Sequence, residues 1–176
     1  MENIVDRAFD VKAPNRVWCT DVTYIWTGQQ WSYLAVVLDL FARRPVGWAM
    51  SNNPDTALTL NALDIAYQAR GKPKNVIVHS DQGCHFTSKT YRKRLKRYGM
   101  IHSMSRRGNC WDNAPMERFF RSLKSEWMPK AGWPTPLEAK HAVNNYICRY
   151  YNRYRPHQHN DGLSPMQKEN NYCKKL

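Results

Sequence analysis

The sequence predicts an α/β domain: a mixed five-stranded sheet, three antiparallel strands followed by two parallel ones, with helices on both faces. Two observations predict it. The first 50 residues hold long β-branched and aromatic runs joined by short turns, as in an antiparallel meander. Beyond them, segments of helical periodicity alternate with short apolar runs, as expected of crossover connections. The predicted order is βββ-α-β-α-β-α-α.

Residues 1–15 read as an irregular lead-in. Val17 to Thr27 (VWCTDVTYIWT) is the first strand, with Cys19, Asp21, Thr23 and Ile25 on one face. Thr27-Gly28-Gln29-Gln30 is a turn. Trp31 to Phe41 is apolar enough for a central strand, and Pro45 to Met50 is the third. Asp55 is placed to cap a helix in which Leu58, Ala62, Ile65 and Ala69 recur at helical spacing before Gly71 ends it. Asn75 to Ser80 reads as a short buried parallel strand. A basic amphipathic helix follows over about 87–98, with Tyr91, Leu95 and Tyr98 as its stripe. Ile101 to Met104 is the fifth strand, and SRRGNCWDN is a loop. The next helix starts near Asp112 or Asn113; Pro115 is tolerated because first-turn amides have no intrahelical acceptor. Met116, Phe120, Leu123 and Trp127 form its seam, with Asn113, Glu117, Arg121 and Lys124 on one flank. Thr135-Pro136-Leu137-Glu138 reads as a capping box opening a last long helix with Ala139, Val143, Tyr146 and Tyr150 facing the core. Residues 152–176 read as polar and irregular. The implied organisation is a lead-in (1–15), one core domain (16–155) and a C-terminal tail (156–176).

Composition narrows the function. The 176 residues carry a formal charge of +13, which points to a polyanionic partner, nucleic acid first. From Gln82 to Trp111 there is no acidic residue, while Lys89, Arg92, Lys93, Arg94, Lys96, Arg97, Arg106 and Arg107 all fall there. The run reads as a phosphate track, with a plain solvated helix face as the alternative. No apolar run approaches the about 18 residues of a membrane span, and the acidic N-terminus is not a signal peptide. Cys19, Cys84, Cys110, Cys148 and Cys173 are odd in number and form no C-x-x-C pair. That argues against a zinc ribbon or disulfide framework and for a reducing cytosol.

Against this basic background three carboxylates stand out. Asp21 sits in VWCTDVTYIW, Asp81 ends NVIVHSD, and Glu117 sits in WDNAPMERFF, with 35 residues between it and Asp81. A carboxylate in an apolar strand is costly to desolvate without a partner, and a divalent cation, Mg²⁺ or Mn²⁺, is the partner that hard oxygen ligands suit. If the fourth strand pairs parallel to the first, Asp81 lies beside Asp21, and Glu117 reaches in from its helix.

The stretches WCTDVTYIWTGQQWSYLAVVLDLFARRPVGW, VIVHSDQGCHFTS, SMSRRGNCWDNAPMERFFRSLKSE and YYNRYRPHQHNDGLSP resemble the catalytic core shared by retroviral integrases and DDE transposases. They are most similar to the bacterial insertion-sequence group whose transposase is made by frameshifting between two reading frames. The 35-residue spacing and the basic Lys124, seven positions after Glu117, belong to that pattern. The resemblance implies an RNase H-like fold and Asp21, Asp81 and Glu117 as ligands of two ions, with Asp21 bridging them about 3.5–4 Å apart. Asp81 completes one shell and Glu117 the other. It also implies cleavage at a DNA 3′ end and strand transfer, without a covalent enzyme intermediate or organic cofactor. The expected partners are element ends and target DNA, in a homo-oligomeric synaptic complex in a bacterial, nucleoid-associated cytoplasm. The group's upstream helix-turn-helix regions have no counterpart here, so the chain is expected to be an isolated catalytic domain that does not itself select specific ends.

Lesser candidates are Lys124, Asn113, Arg121, Arg106 and Arg107 as DNA contacts, with plain exposed helix or loop residues as the alternative. His79 reads as a hydrogen-bonded core histidine, with support of the acidic site as the alternative. His85 is either a DNA contact or structural. Asp39 reads as a turn or arginine-pairing residue, Asp112 as a helix cap, and Trp111 as a base-stacking residue or its own helix's anchor. His157 and His159 read as structural. Two competing functions remain: a purely hydrolytic RNase H-like nuclease, and a non-catalytic DNA-binding or assembly module left by element decay.

Overall fold

In the computed structural model residues 2–175 are described; Met1 and Leu176, the outer ends of the lead-in and tail, lie outside them, as does the side chain of Cys110. Five strands form one sheet in the order β3-β2-β1-β4-β5: β1 Val17–Trp26, β2 Trp31–Asp39, β3 Arg44–Ser51, β4 Ile77–Ser80 and β5 Ile101–Met104. β1–β2 and β2–β3 pair antiparallel, and β1–β4 and β4–β5 pair parallel, as expected. β2 is central because it is apolar on both faces. Leu34, Val36 and Leu38 enter one core, and Ala35 and Val37 the other.

Helices α1 (Thr56–Ala69) and α3 (Lys89–Arg97) cover the second face, with the single turn α2 (Cys84–Thr87) between β4 and α3. Asp55 caps α1 through the Leu58 amide, as expected. Its buried stripe is Leu58, Thr59, Ala62, Leu63 and Ala66, and Ile65, expected inside, is exposed. The rotation follows from a close approach at Gly47 of β3. A Cβ there would stand 2.4 Å from the Ala62 carbonyl oxygen and 2.7 Å from the Ala66 methyl. Only small residues of α1 can therefore face β3.

The first face is covered by α4 (Ala114–Glu126), α5 (Pro136–Asn145) and a widened π-helical segment, Tyr146–Tyr154. α4 buries Met116, Phe119, Phe120 and Leu123, whereas Trp127 is partly exposed and stacks on Tyr150. The last helix was expected to be continuous, with Tyr150 in the core. Instead the five-residue repeat of the widened turn puts Tyr146 and Tyr151 on the same face, both buried, with Tyr151 edge-on to Phe119 at 5.0 Å. At the start of α5 Thr135 accepts from the Glu138 amide, the first half of the expected box.

The tail is not irregular, contrary to expectation. Helix α6 (Pro165–Cys173) opens with a reciprocal Ser164–Gln167 capping box. Its buried Glu169 pairs with Arg44 of β3 and, at 2.9 Å, with Arg70 after α1. Hydropathy could not reveal this helix, because charge pairing rather than an apolar stripe holds it. Among the described residues no helix is long and apolar enough to cross a membrane.

Candidate active site

The parallel register of β1 and β4 pairs Cys19 with His79. Continued two residues past that pair, one beyond the end of β4, it sets Asp21 beside Asp81. α4 packs across β1, and Asn113, just before it, donates to the Thr20 carbonyl at 3.4 Å. These three elements place Asp21, Asp81 and Glu117 in the lining of one open cavity of about 450 Å³, with Gln82, Gly83, Ser105, Arg106, Arg107, Gly108, Asn109 and Asn113 around them.

Asp21 accepts from the Val22 amide at 2.8 Å, and Asp81 from the Gly83 amide at 2.9 Å. Among the described residues no lysine, arginine or histidine forms an ion pair with any of the three acids; Arg106, which also lines the cavity, pairs instead with Asp112 and Asp6. Burial, then the charge of Asp81, and less so that of Glu117, push the Asp21 carboxyl up to about 7. Hard oxygen donors with mutually repelling charges and no protein counterion fit a divalent cation. Among the described residues, however, no three His, Cys, Asp or Glu side chains already form a ready-made metal cluster.

The other candidates divide. Asn113 and Arg107 line the cavity. Arg106 lines it too, but its guanidinium makes two bonds, at 3.0 and 2.9 Å, to Asp112. Asp112 is not a helix cap. It is a buried carboxylate that also accepts from Asn3, Arg7 and the Arg106 amide, tying the lead-in to the loop before α4. These charges hold its carboxyl well below the usual range. Arg121 and Lys124 lie outside the cavity lining. Arg121 is exposed, and the Lys124 ammonium lies 5.2 Å from the centre of the Tyr24 ring.

His79 is the buried core histidine expected, bridged to Ser103 at 2.9 Å and Ser105 at 3.1 Å. His85 packs edge-on to Phe86, and burial lowers its pKa. Asp39 accepts from the Asn15 and Phe41 amides, from Trp18 and from Arg70, an arginine-pairing turn residue as expected. His157 and His159 are structural: His157 accepts from the His159 amide, whose ring meets the Phe41 carbonyl. Trp111 is 68% exposed, so it anchors nothing in its own helix. Lys89, Arg92, Lys93 and Lys96 share one exposed patch on α3, whereas Arg94 is drawn away to Asp64. Gln82, Gly83, Ser105, Gly108 and Asn109 were missed as site residues; the glycine two positions after Asp81 was the one available signal.

Two family models, each describing an integrase core domain, match residues 11–110 and 98–165. The chain is 43% identical over 169 residues to the transposase InsF for insertion sequence IS3A of Escherichia coli K12, covering 96% of this chain and 59% of that protein. It is 42% identical over 166 residues to the transposase for IS904 of Lactococcus lactis, covering 93% of this chain and 64% of that one. The chain thus spans less than two thirds of the relatives it matches. Among solved structures, the HTLV-2 integrase catalytic core domain in complex with magnesium superposes with a TM-score of 0.66 at 19% identity, covering 89% of this chain and 97% of that one. A chain of the simian T-cell lymphotropic virus intasome, in complex with a PP2A regulatory subunit, gives 0.70 at 15%, covering 91% and 56%. The sheet order and helical layers are those of the RNase H-like retroviral integrase cores. With a family model spanning more than half of its residues, the chain belongs to the integrase core domain family.

Proposed function

We propose that this chain is the catalytic domain of a DDE transposase, a metal-dependent polynucleotidyl transferase that cleaves DNA at a 3′ end and joins that end to a second strand. The observation that carries this reading is the meeting of Asp21, Asp81 and Glu117, from three separate elements, in one open cavity. The names of the bacterial relatives support it. In this reading Asp21, Asp81 and Glu117 would hold the two Mg²⁺ or Mn²⁺ ions. Bound there, the ions supply Lewis-acid activation of the attacking oxygen and of the leaving 3′ oxygen.

The chain's own residues set the geometry. The Val22 and Gly83 amides orient the Asp21 and Asp81 carboxylates and leave their other oxygens to the cavity. Asn113 ties the start of α4 to β1 next to Asp21, which fixes where Glu117 enters. Arg107 at the rim and the exposed basic patch of α3 neutralise backbone phosphates. Arg121 and Lys124 on α4 add separate phosphate contacts. Residues 16–155 form the catalytic unit, acting on element ends and target DNA in the bacterial cytoplasm and nucleoid, as a homo-oligomer when two ends are paired.

The test is an assay of cut and joined products on a labelled DNA end with Mg²⁺ or Mn²⁺. Asp21→Asn, Asp81→Asn and Glu117→Gln should each abolish both products while keeping the fold. Full activity in any one of them overturns the assignment. Cut product without joined product indicates a purely hydrolytic nuclease, and neither product in the unaltered chain indicates a non-catalytic DNA-binding module.

A further inference from the structure

The face of the β1–β2 hairpin beyond the active site is aromatic and uncovered. Antiparallel pairing sets Tyr24 opposite Tyr33 and Trp26 opposite Trp31, so all four side chains share one face. That face belongs to the α1/α3 core, but the core ends at Val22 and Tyr33. Beyond it Tyr24 is 59% exposed and Trp31 51% exposed. Their rings meet edge-on at 5.7 Å, and Trp31 meets Trp26 at 5.1 Å. β4 pairs only with Val17–Cys19, so the outer half of β1 lacks a strand neighbour on that side. Lys124 reaches across that open edge from α4 to the Tyr24 ring, with no carboxylate partner among the described residues. Tyr24 lies three residues along the strand from Asp21, about 10 Å at the usual strand rise but with its side chain on the opposite face, so a DNA strand reaching both passes round the open edge of β1.

Large exposed rings need an occupant. The adjoining charge is a lone cation in a chain of net charge +13, and the carboxylate cavity is close by. This combination suits a nucleic-acid strand, whose bases stack on the rings while the ammonium meets a phosphate. A second copy of this chain, itself of net charge +13, would meet the unpaired lysine with like charge.

We propose that Tyr24 and Trp31, with Lys124 beside them, form a stacking site for unpaired DNA bases lying a nucleotide or two from the bond acted on at the carboxylate cavity. The location relative to the reacting bond rests on the proposed function. Single-strand binding by the hairpin does not.

The experiment is therefore run without metal. The intact chain in EDTA is titrated with a fluorescent oligo-dT strand and with a duplex of equal length. Trp31→Ala and Tyr24→Ala should each weaken single-strand binding about 5- to 100-fold and change duplex binding less than about twofold, because a paired, stacked base offers no free face. Trp31→Phe should recover most of the affinity. Asp21→Asn, which removes one negative charge from the cavity, should bind the strand no more weakly than the unaltered chain, so loss of cleavage and loss of stacking are separable. The proposal is overturned by unchanged single-strand affinity in a folded Trp31→Ala protein. Equal loss on duplex and single strand also overturns it. So does a change in oligomeric state with DNA binding unaffected, which would give the face to a second copy of the chain.

Discussion

Replacing Asp21 by Asn is expected to stabilise the metal-free fold while destroying activity. Burial and the neighbouring charges of Asp81 and Glu117 raise the Asp21 carboxyl from 3.8 to about 7, against the opposing Val22 amide. A carboxyl with a raised folded-state pKa binds its proton more tightly folded than unfolded. Its favourable contribution is complete below about pH 4 and is lost as pH rises through about 7; above that the fold carries an uncompensated charge. At about 1.4 kcal/mol per pKa unit, the ceiling is about 4 kcal/mol, and the partial exposure of the side chain reduces it to about 2 kcal/mol through solvent screening. Asparagine keeps an oxygen for the Val22 amide and removes the charge. Urea unfolding in EDTA, followed by tryptophan fluorescence, should show Asp21→Asn more stable than the unaltered chain by about 2 kcal/mol at pH 8, a rise of roughly 4–8 °C in Tm. The difference should vanish near pH 4. A variant no more stable at pH 8, or a difference independent of pH, refutes the electrostatic reasoning.

Three other expectations follow from particular contacts. Mg²⁺ or Mn²⁺ at about 100 times its dissociation constant should stabilise the unaltered chain by about 2.7 kcal/mol, with little effect on Asp21→Asn; equal stabilisation of both places the cation elsewhere. Gly47→Ala should cost about 1–3 kcal/mol or more, because the new methyl meets the α1 backbone at 2.4 Å; a denaturation midpoint near that of the unaltered chain contradicts the packing. Asp112→Ala removes the bonds from Arg7, Arg106 and Asn3 together; because the two arginines are half exposed and re-solvate, the cost should be about 1 kcal/mol, with faster hydrogen exchange over residues 103–113. Unchanged exchange there would show that the loop is held by other means.

Much of the architecture could be read from the chain because local chemistry and tertiary demand agree in it. β2 is apolar on both sides of its pleat from Tyr33 to Leu38 and could only be an interior strand. Asp55 and Ser164 cap helices with their own side chains, though only the first was recognised beforehand. The errors fall where a distant contact sets the outcome. The inner face of α1 is rotated by Gly47, α6 is held by Arg44 and Arg70, and Asp112 is claimed by arginines rather than by its own helix. None of these leaves a period in the sequence.

The candidate site divides in the same way. The sequence alone singled out three candidate acids, two of them because a carboxylate within or at the end of an apolar strand of a basic chain is conspicuous wherever the chain runs. It also determined the strand pattern and the concentration of cations between Asp81 and Glu117. Only the tertiary structure decided that β1, β4 and α4 bring those acids to one cavity, that Arg106 is bound to Asp112, and that Tyr24 and Trp31 remain uncovered beside Lys124. The reason is physical: desolvation and helix periodicity act on neighbours in sequence, whereas charge repulsion, ion pairing and exposure depend on neighbours in space.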